Sequence, residues 1–332
     1  METNIALNKA QRITTQDFFS PKTPSESFTF IDLFAGIGGI RLGFEHVKGK
    51  CVFTSEWDKA AQKTYQANFN EVPHGDITKI SPKEIPGFDM LLAGFPCQPF
   101  SQAGLKKGFK DTRGTLFFNI AQIAEHHKPS VVFLENVRNL KGHDKGNTLK
   151  VILRTLEELG YKVFHNVLNA KDFGLPQNRA RIYIIGFKND VNFEFPKPKM
   201  TKTRVWDILE KKVDDKYTIS DKLWKGHQKR KQEHQKKGNG FGYSLFDETS
   251  EYTSTISARY YKDGSEILIK QKGRNPRKIT PREASRLQGF PENFIIPVSN
   301  TQAYKQFGNS VAVPVIKALS EQIIKALKDE NR

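Results

Sequence analysis

Residues 28–39 read Phe28-Thr29-Phe30-Ile31-Asp32-Leu33-Phe34-Ala35-Gly36-Ile37-Gly38-Gly39. An apolar, β-rich run ends in glycines, and a helix-compatible stretch follows through about Val47. Strand, glycine turn and helix make a cradle for a nucleotide-type cofactor, because glycine lets backbone N–H groups approach a ligand closely. The spacing is not the dinucleotide fingerprint: counting G-x-G-x-x-G from Gly36 puts Arg41 where the third glycine belongs. A dehydrogenase therefore fails at Arg41. The next strand, Cys51-Val52-Phe53-Thr54-Ser55, ends in Glu56-Trp57-Asp58, with Glu56 20 residues after Gly36. An acid there can bind ribose hydroxyls, and Trp57 offers a flat face for a purine. Asp76, in Gly75-Asp76-Ile77, can accept from an adenine amino group. Each also has a plainer reading: Glu56 as a solvated strand end, Trp57 as core, Asp76 as a turn residue or N-cap. Together, in this order, they point to an adenosine-containing cofactor. Cys51, inside the second strand, reads as inert core.

The stretch Phe95-Pro96-Cys97-Gln98-Pro99-Phe100-Ser101 follows an apolar run, 89–94, that reads as a buried strand. Pro96 and Pro99 forbid regular helix or ladder pairing around the thiol. Cys97 is then placed on a fixed loop at the carboxyl end of a strand, where ligands meet chemistry in open α/β sheets. A thiolate is a strong nucleophile; the plain alternative is a small buried hydrophobe. Residues 102–114 form a polar, glycine-hinged loop with the composition of a lid. Leu116 to His127 reads as a helix, and Ser130 to Leu134 as a buried strand ending in Glu135-Asn136-Val137. A carboxylate in that position is costly unless it has a task or a partner. Asn147 to Gly160 reads as an amphipathic helix, and Tyr161–Leu168 and Arg181–Phe187 as strands. Alternation sends Gln177, Arg179 and Arg181 to one face. His126, His127 and His143 lack metal-ligand spacing and read as surface, so no metal is expected.

The chain has 332 residues, enough for one large domain or two, with 37% hydrophobic and 27% charged residues. No apolar window reaches membrane-span length, and no secretory signal pattern precedes the first strand. Two cysteines give no disulfide framework, which fits a reducing cytosol. The net charge of +17 points to a polyanion, nucleic acid first, though charge alone does not separate DNA, RNA and anionic lipid. Residues 1–27 are polar and aperiodic and read as a mobile arm. From about Phe193 the alternation of strand and helix stops. Residues 196–275 are rich in Lys, Gly and aromatics, and 225–237 is a strongly basic candidate phosphate-contacting surface, or else a solvated helix face. Thr280-Pro281-Arg282-Glu283 looks like a helix start.

On these motifs the chain resembles the DNA (cytosine-5)-methyltransferases of the bacterial restriction–modification type. The matching stretches are DLFAGIGG at 32–39, SEWD at 55–58, GDIT at 75–78, GFPCQPFS at 94–101, RGTLFF at 113–118, ENV at 135–137, QNRAR at 177–181, ITPREASRLQGFP at 279–291 and YKQFGNSVAVPV at 304–315. The resemblance implies S-adenosylmethionine as cofactor, with S-adenosylhomocysteine as product, and duplex DNA as partner. It implies that the Cys97 thiolate adds to cytosine C6. Glu135 holds N3 and the exocyclic amine, supported by Asn136, while Arg181 contacts O2 with Arg179 near it and toward the thiol. Phe34, Gly36, Ile37 and Gly39 form the cofactor turn. Glu56 takes the ribose, Trp57 the adenine face, and Asp76 with Ile77 the adenine edge. Pro96 and Leu116 line the methionine side, and Asn309, Ser310 and Val311 arrive from the far end of the chain. Ser310 is expected to cap the helix that runs to about Lys328, with Pro314 near its first turn.

The implied fold is α/β: a doubly wound, mostly parallel sheet of the S-adenosylmethionine-dependent type, with a second, smaller, irregular β-rich target-recognition domain. The expected division is 28–192 plus 300–332 for catalysis and cofactor, 196–275 for recognition, and 276–299 as the connecting segment. Arg259 is the first choice for base reading. Thr255 is expected to grip a phosphate and Asn239 to fill the vacated stack, with Gln98 and Ser101 also on DNA. The segment 238–269 resembles reading regions of enzymes that methylate the inner cytosine of CC(A/T)GG or CCNGG. A monomer is expected, possible restriction endonuclease partner notwithstanding. The rivals are an RNA (tRNA) cytosine-5 methyltransferase and a non-catalytic DNA-binding relative; Cys97, Glu135 and Arg181, all present, count against the latter.

Overall fold

The computed structural model describes residues 27–96, 116–199, 201–240 and 242–330. The arm at 1–26, the nucleophile loop and lid at 97–115, and Cys97, Gln98 and Ser101 with them, lie outside the described residues. Six strands form the main sheet: β1 (Thr29–Leu33), β2 (Lys50–Ser55), β3 (Met90–Gly94), β4 (Val131–Val137), β5 (Lys162–Asn169) and β6 (Ala180–Phe187). Their order is β2-β1-β3-β4-β6-β5. β2, β1, β3 and β4 pair in parallel, and β6 runs antiparallel to both neighbours. The sheet is therefore mostly parallel, with one reversed strand. β3 and the first four residues of β4, Val131–Leu134, are continuous apolar runs because both of their faces are covered.

Alternate side chains feed two cores. Met90, Leu92, Phe133 and Tyr183 pack with helix α1 (Gly39–Glu45) and with α8 (Val313–Glu330) on one face. Leu91, Ala93, Leu134 and Ile182 pack with α3 (Leu116–His127) and α4 (Asn147–Glu158) on the other. α8 carries Pro314 as its second residue and closes on α1 tightly. A Cβ on Gly43 would stand 2.2 Å from Ile316 Cγ2, and Ser320 Oγ donates to the Gly43 carbonyl at 2.8 Å. Helix α2 (Lys59–Phe69) follows β2, with Asp58 as its N-cap.

The second sheet is small: β7 (Leu245–Phe246), β8 (Leu268–Gln271) and β9 (Arg274–Lys278). β9 carries that sheet past residue 275. The basic run is a helix, α5 (Asp221–Lys236), capped by Ser220. Lys222, Lys225, Lys229 and Lys236 are exposed and, by helical spacing, share the side opposite buried His227. Helix α6 (Pro281–Leu287) starts where the sequence places it, in a capping box between Thr280 and Glu283. Together with α7 (Asn300–Asn309) it joins a third core that reaches from Ile256 and Tyr260 to Ile37 and Ala61.

Candidate active site

The sheet order reverses between β2 and β3 around β1, which leaves a crevice at the carboxyl ends of the parallel strands. Because β6 is reversed, its amino end arrives at the same edge. A cavity of about 880 Å³ opens there, lined by the residues that follow β1, β2 and β3, by the end of β4 and by Arg179 and Arg181.

The cofactor side begins at Phe34, held at φ 55°, a left-handed conformation that costs a non-glycine residue about 1–3 kcal/mol. Gly36 follows at φ 56°. Open space lies where a Cβ on Gly36 would point. Glu56 is buried and bridges the first two turns. Its Oε2 accepts from the Gly36 N–H at 2.8 Å, and its Oε1 from the Asp58 N–H at 2.7 Å. Burial pushes the Glu56 carboxyl up, and these two N–H groups oppose the rise. Trp57 is 74% exposed, so it is not core and its ring is open to a planar ligand. Asp76 caps a short 3₁₀ turn: its Oδ1 accepts from the Thr78 N–H and hydroxyl, which holds the carboxyl below the usual carboxylate range. Ile77 is buried beneath it. Ile37, Gly39, Pro96 and Leu116 line the same cavity, as do Asn309, Ser310 and Val311. A bare turn, an uncovered indole and two acceptor carboxylates fit an adenosine-type group.

Ser310 is not the cap of α8. It is the C-cap of α7, its N–H donating to the Gln306 carbonyl, because α7 runs to Asn309 and α8 begins only at Val313. The segment is instead packed on the cofactor turn: a Cβ on Gly39 would lie 2.8 Å from Val311 Cγ2 and 3.0 Å from Ser310 Oγ.

On the other side of the cavity stands Glu135, on β4 and in register with Gly94 of β3, three residues before Cys97 in the chain. Glu135 opposes Tyr183, and Val137 opposes Arg181, so Glu135 and Arg181 are diagonal neighbours on one face. Arg181 Nε lies 3.3 Å from Glu135 Oε1. Burial pushes the Glu135 carboxyl up, against the pull of Arg181 and then Arg179. Asn136 does not bond to Glu135. Its Nδ2 donates to the Phe95 carbonyl at 2.9 Å, which ties the end of β4 to the chain leading into Cys97.

Arg179 lines the cavity but is almost fully buried. Its guanidinium donates to the carbonyls of Ile256 and Gly308, each at 3.0 Å, and of Ser310. Its bonding is therefore to the backbone of two distant segments rather than into the catalytic space. Gln177 shares this role: its Nε2 donates to the Leu287 carbonyl and its Oε1 accepts from the Ile256 N–H.

Of the residues expected on DNA, Arg259 is exposed and lines the cavity mouth. The Thr255 hydroxyl donates to the Asn178 carbonyl at 2.6 Å, outside the cavity lining. Asn239 closes the end of α5, its Oδ1 2.7 Å from His234 Nδ1. His127 and His143 are half-buried rather than surface, bonded to the Pro82 carbonyl and the Thr148 hydroxyl. The sequence reading did not single out Tyr261, Lys305 or Gly308, all at the cavity. Lys305 Nζ sits 5.2 Å from the centre of the Tyr261 ring. Only Gly308, a glycine at a helix end, carried a local signal.

Residues 28–325 match the family model of the C-5 cytosine-specific DNA methylases. The chain is 65% identical over 313 residues to the Type II methyltransferase M.SsoII of Shigella sonnei, covering 92% of this chain and 83% of that one. It is 64% identical over 304 residues to the Type II methyltransferase M.NlaX of Neisseria lactamica, covering 90% and 97%. Among solved structures, a Spodoptera frugiperda DNMT2 mutant superposes with a TM-score of 0.73 at 22% identity, covering 91% of this chain and 99% of that one, a likeness of fold. The chain belongs to the C-5 cytosine-specific DNA methylase family.

Proposed function

We propose that the enzyme methylates C5 of a cytosine flipped out of a short, specific duplex sequence, using S-adenosylmethionine. The observation that carries this reading is the buried Glu135–Arg181 pair opening onto the same cavity as Gly36, Glu56 and Trp57. Bound in that cradle, S-adenosylmethionine would supply an electrophilic methyl group, its sulfur keeping the electron pair of the broken S–CH3 bond to give S-adenosylhomocysteine. Glu56 holds the ribose, Trp57 the adenine face and Asp76 its edge.

The Cys97 thiolate adds to C6, and the ring electrons move onto C5. Glu135 holds a proton at N3, which its raised carboxyl favours, and Arg181 fixes the O2 edge. C5 forms the new carbon–carbon bond, a base removes the C5 proton, and Cys97 departs as the ring double bond returns. Flipping costs a few kcal/mol, offset by contacts from Arg259, Thr255, Asn239, Gln98 and Ser101 and by phosphate contacts along α5. In this reading 196–275 reads the bases across a cleft from the catalytic sheet. The target is the inner cytosine of CC(A/T)GG or CCNGG, and the protein works as a monomer that protects host DNA.

The test is expression in cells that lack cytosine methylation, followed by bisulfite sequencing, beside a Cys97→Ser control. Protection at one short motif, lost in the control, is expected. Unprotected DNA from cells holding folded protein would overturn the reading and turn attention to RNA.

A further inference from the structure

The cofactor segment 308–311 and the loop that presents Arg259 are distant in sequence, yet their backbones meet without side chains between them. A Cβ on Gly308 would stand 2.3 Å from the carbonyl carbon of Ser257 and 2.4 Å from the Ala258 nitrogen. Contacts that short do not occur, so only a bare α-carbon allows this approach. Arg179, just ahead of β6, spans the same seam: one guanidinium donates to Ile256 on the loop side and to Gly308 and Ser310 on the cofactor side. Gln177 adds a bond to the Ile256 N–H at 3.1 Å. On the loop side, Ser257 Oγ accepts from the Arg259 N–H at 3.1 Å and donates to Glu266 at 2.5 Å. The Tyr260 N–H donates to the Ser257 carbonyl at 3.1 Å. The peptide that touches Gly308 is thus the one from which Arg259 is hung.

From this we propose that Gly308 and Arg179 form a rigid joint that couples the grip on the cofactor to the placement of the base-reading loop. They act as positioning residues. Movement at Asn309–Val311, next to Gly39 of the cofactor turn, passes through Gly308 to Ser257–Ala258 and so to Arg259. The seam has no slack: a methyl group on Gly308 forces the two backbones about 1 Å apart. The inference rests on the proposed cofactor site and adds what that site controls.

The experiment uses the full chain with S-adenosylhomocysteine and no DNA. Calorimetry measures binding, and hydrogen–deuterium exchange follows the amides of 256–260. In the wild type, saturation should slow exchange across 256–260 by about tenfold, within the usual range of coupling between sites. In Gly308→Ala, compared at the compound concentration that calorimetry shows to saturate it, protection of 256–260 should fall to within about twofold of the free protein. Arg179→Lys, which keeps the charge and loses the fork, should behave alike. Binding to the wild type without any change at 256–260 would overturn the joint alone, and this arm needs no variant to fold. Full protection retained in a folded Gly308→Ala would overturn it too. Absence of binding to the wild type would overturn the cofactor reading and the joint with it.

Discussion

Removing Arg181 tests whether the buried pair is the chemical centre. Its Nε lies 3.3 Å from Glu135 Oε1, and the two side chains keep only 14% and 10% of their exposure. At an effective dielectric constant of about 20, their attraction is about 5 kcal/mol. Truncating one partner of such a pair costs about 3–5 kcal/mol, because the remaining charge is left uncompensated. Arg181→Ala should push the Glu135 carboxyl further up and, by removing the proposed contact that fixes the O2 edge of the base, lower the methylation rate by roughly two to four orders of magnitude. The assay is single-turnover transfer of labelled methyl groups to duplex DNA, run for Arg181→Ala, Glu135→Gln and the double variant, each confirmed folded by circular dichroism. If the two act as a unit, the double variant should fall no more than about tenfold below the worse single one. Losses that simply add, within about 0.5 kcal/mol, would refute the pairing as the working element. The pH profile gives a second check. The proposed mechanism uses Glu135 with its proton on, and burial raises its carboxyl. The rate should thus hold at low pH and fall as pH rises through that raised value, and Glu135→Gln should lack the fall.

Asp32 is fully buried, with neither carboxylate oxygen hydrogen-bonded among the described residues, and burial pushes its carboxyl up to about 8. The folded chain keeps a proton that the unfolded chain releases near pH 4, so this site's contribution is lost as pH rises from about 4 to about 8. Urea unfolding should show Asp32→Asn gaining on the wild type across that window, by up to about 5 kcal/mol; parallel curves would reject it. Lys225→Ala with Lys229→Ala should reduce the slope of log affinity against log salt by about 1.8, equally on cognate and unrelated duplexes, and an unchanged slope would remove α5 from the DNA surface. Gly43→Ala should lower the stability by about 1–3 kcal/mol, because α1 and α8 must separate. An unshifted urea midpoint would show that the seam yields freely.

The strands were legible where burial is total: Met90–Gly94 is an uninterrupted apolar run, and Val131–Leu134 is another that ends in Glu135 and Asn136. The end of the helix at His127 was legible, because the apolar spacing from Leu116 onward is helical. The direction of β6 was not, since an apolar run looks the same read either way, and that direction is what carries Arg181 to Glu135. Arg179 showed why residue type alone misleads. Within QNRAR it resembles a second catalytic cation, but its partners are three carbonyls supplied by segments far along the chain. Ser310 failed as an N-cap for a local reason: a Ser before an apolar run looks like a helix start, yet α7 had not ended until Asn309. Gly308 shows in the sequence only as a glycine near a helix end; the reason for it is the backbone of Ser257 and Ala258 packed against it.

Helix α8 covers the face of the sheet formed by Phe30, Leu92 and Phe133, and the cofactor turn at Gly39 leans on Val311 just ahead of it. During translation, the sheet face that α8 covers is therefore sheltered only in part, by α1, until α8 is made. At about 5–20 residues per second, the roughly 285 residues from Glu45 to Glu330 take about 14–57 s. A frameshift or premature stop anywhere before α8 should abolish methylation as completely as a lesion at Cys97, while leaving a sticky, half-covered sheet for the cell's proteases. Protective capacity would then track finished chains, not messenger or partial product.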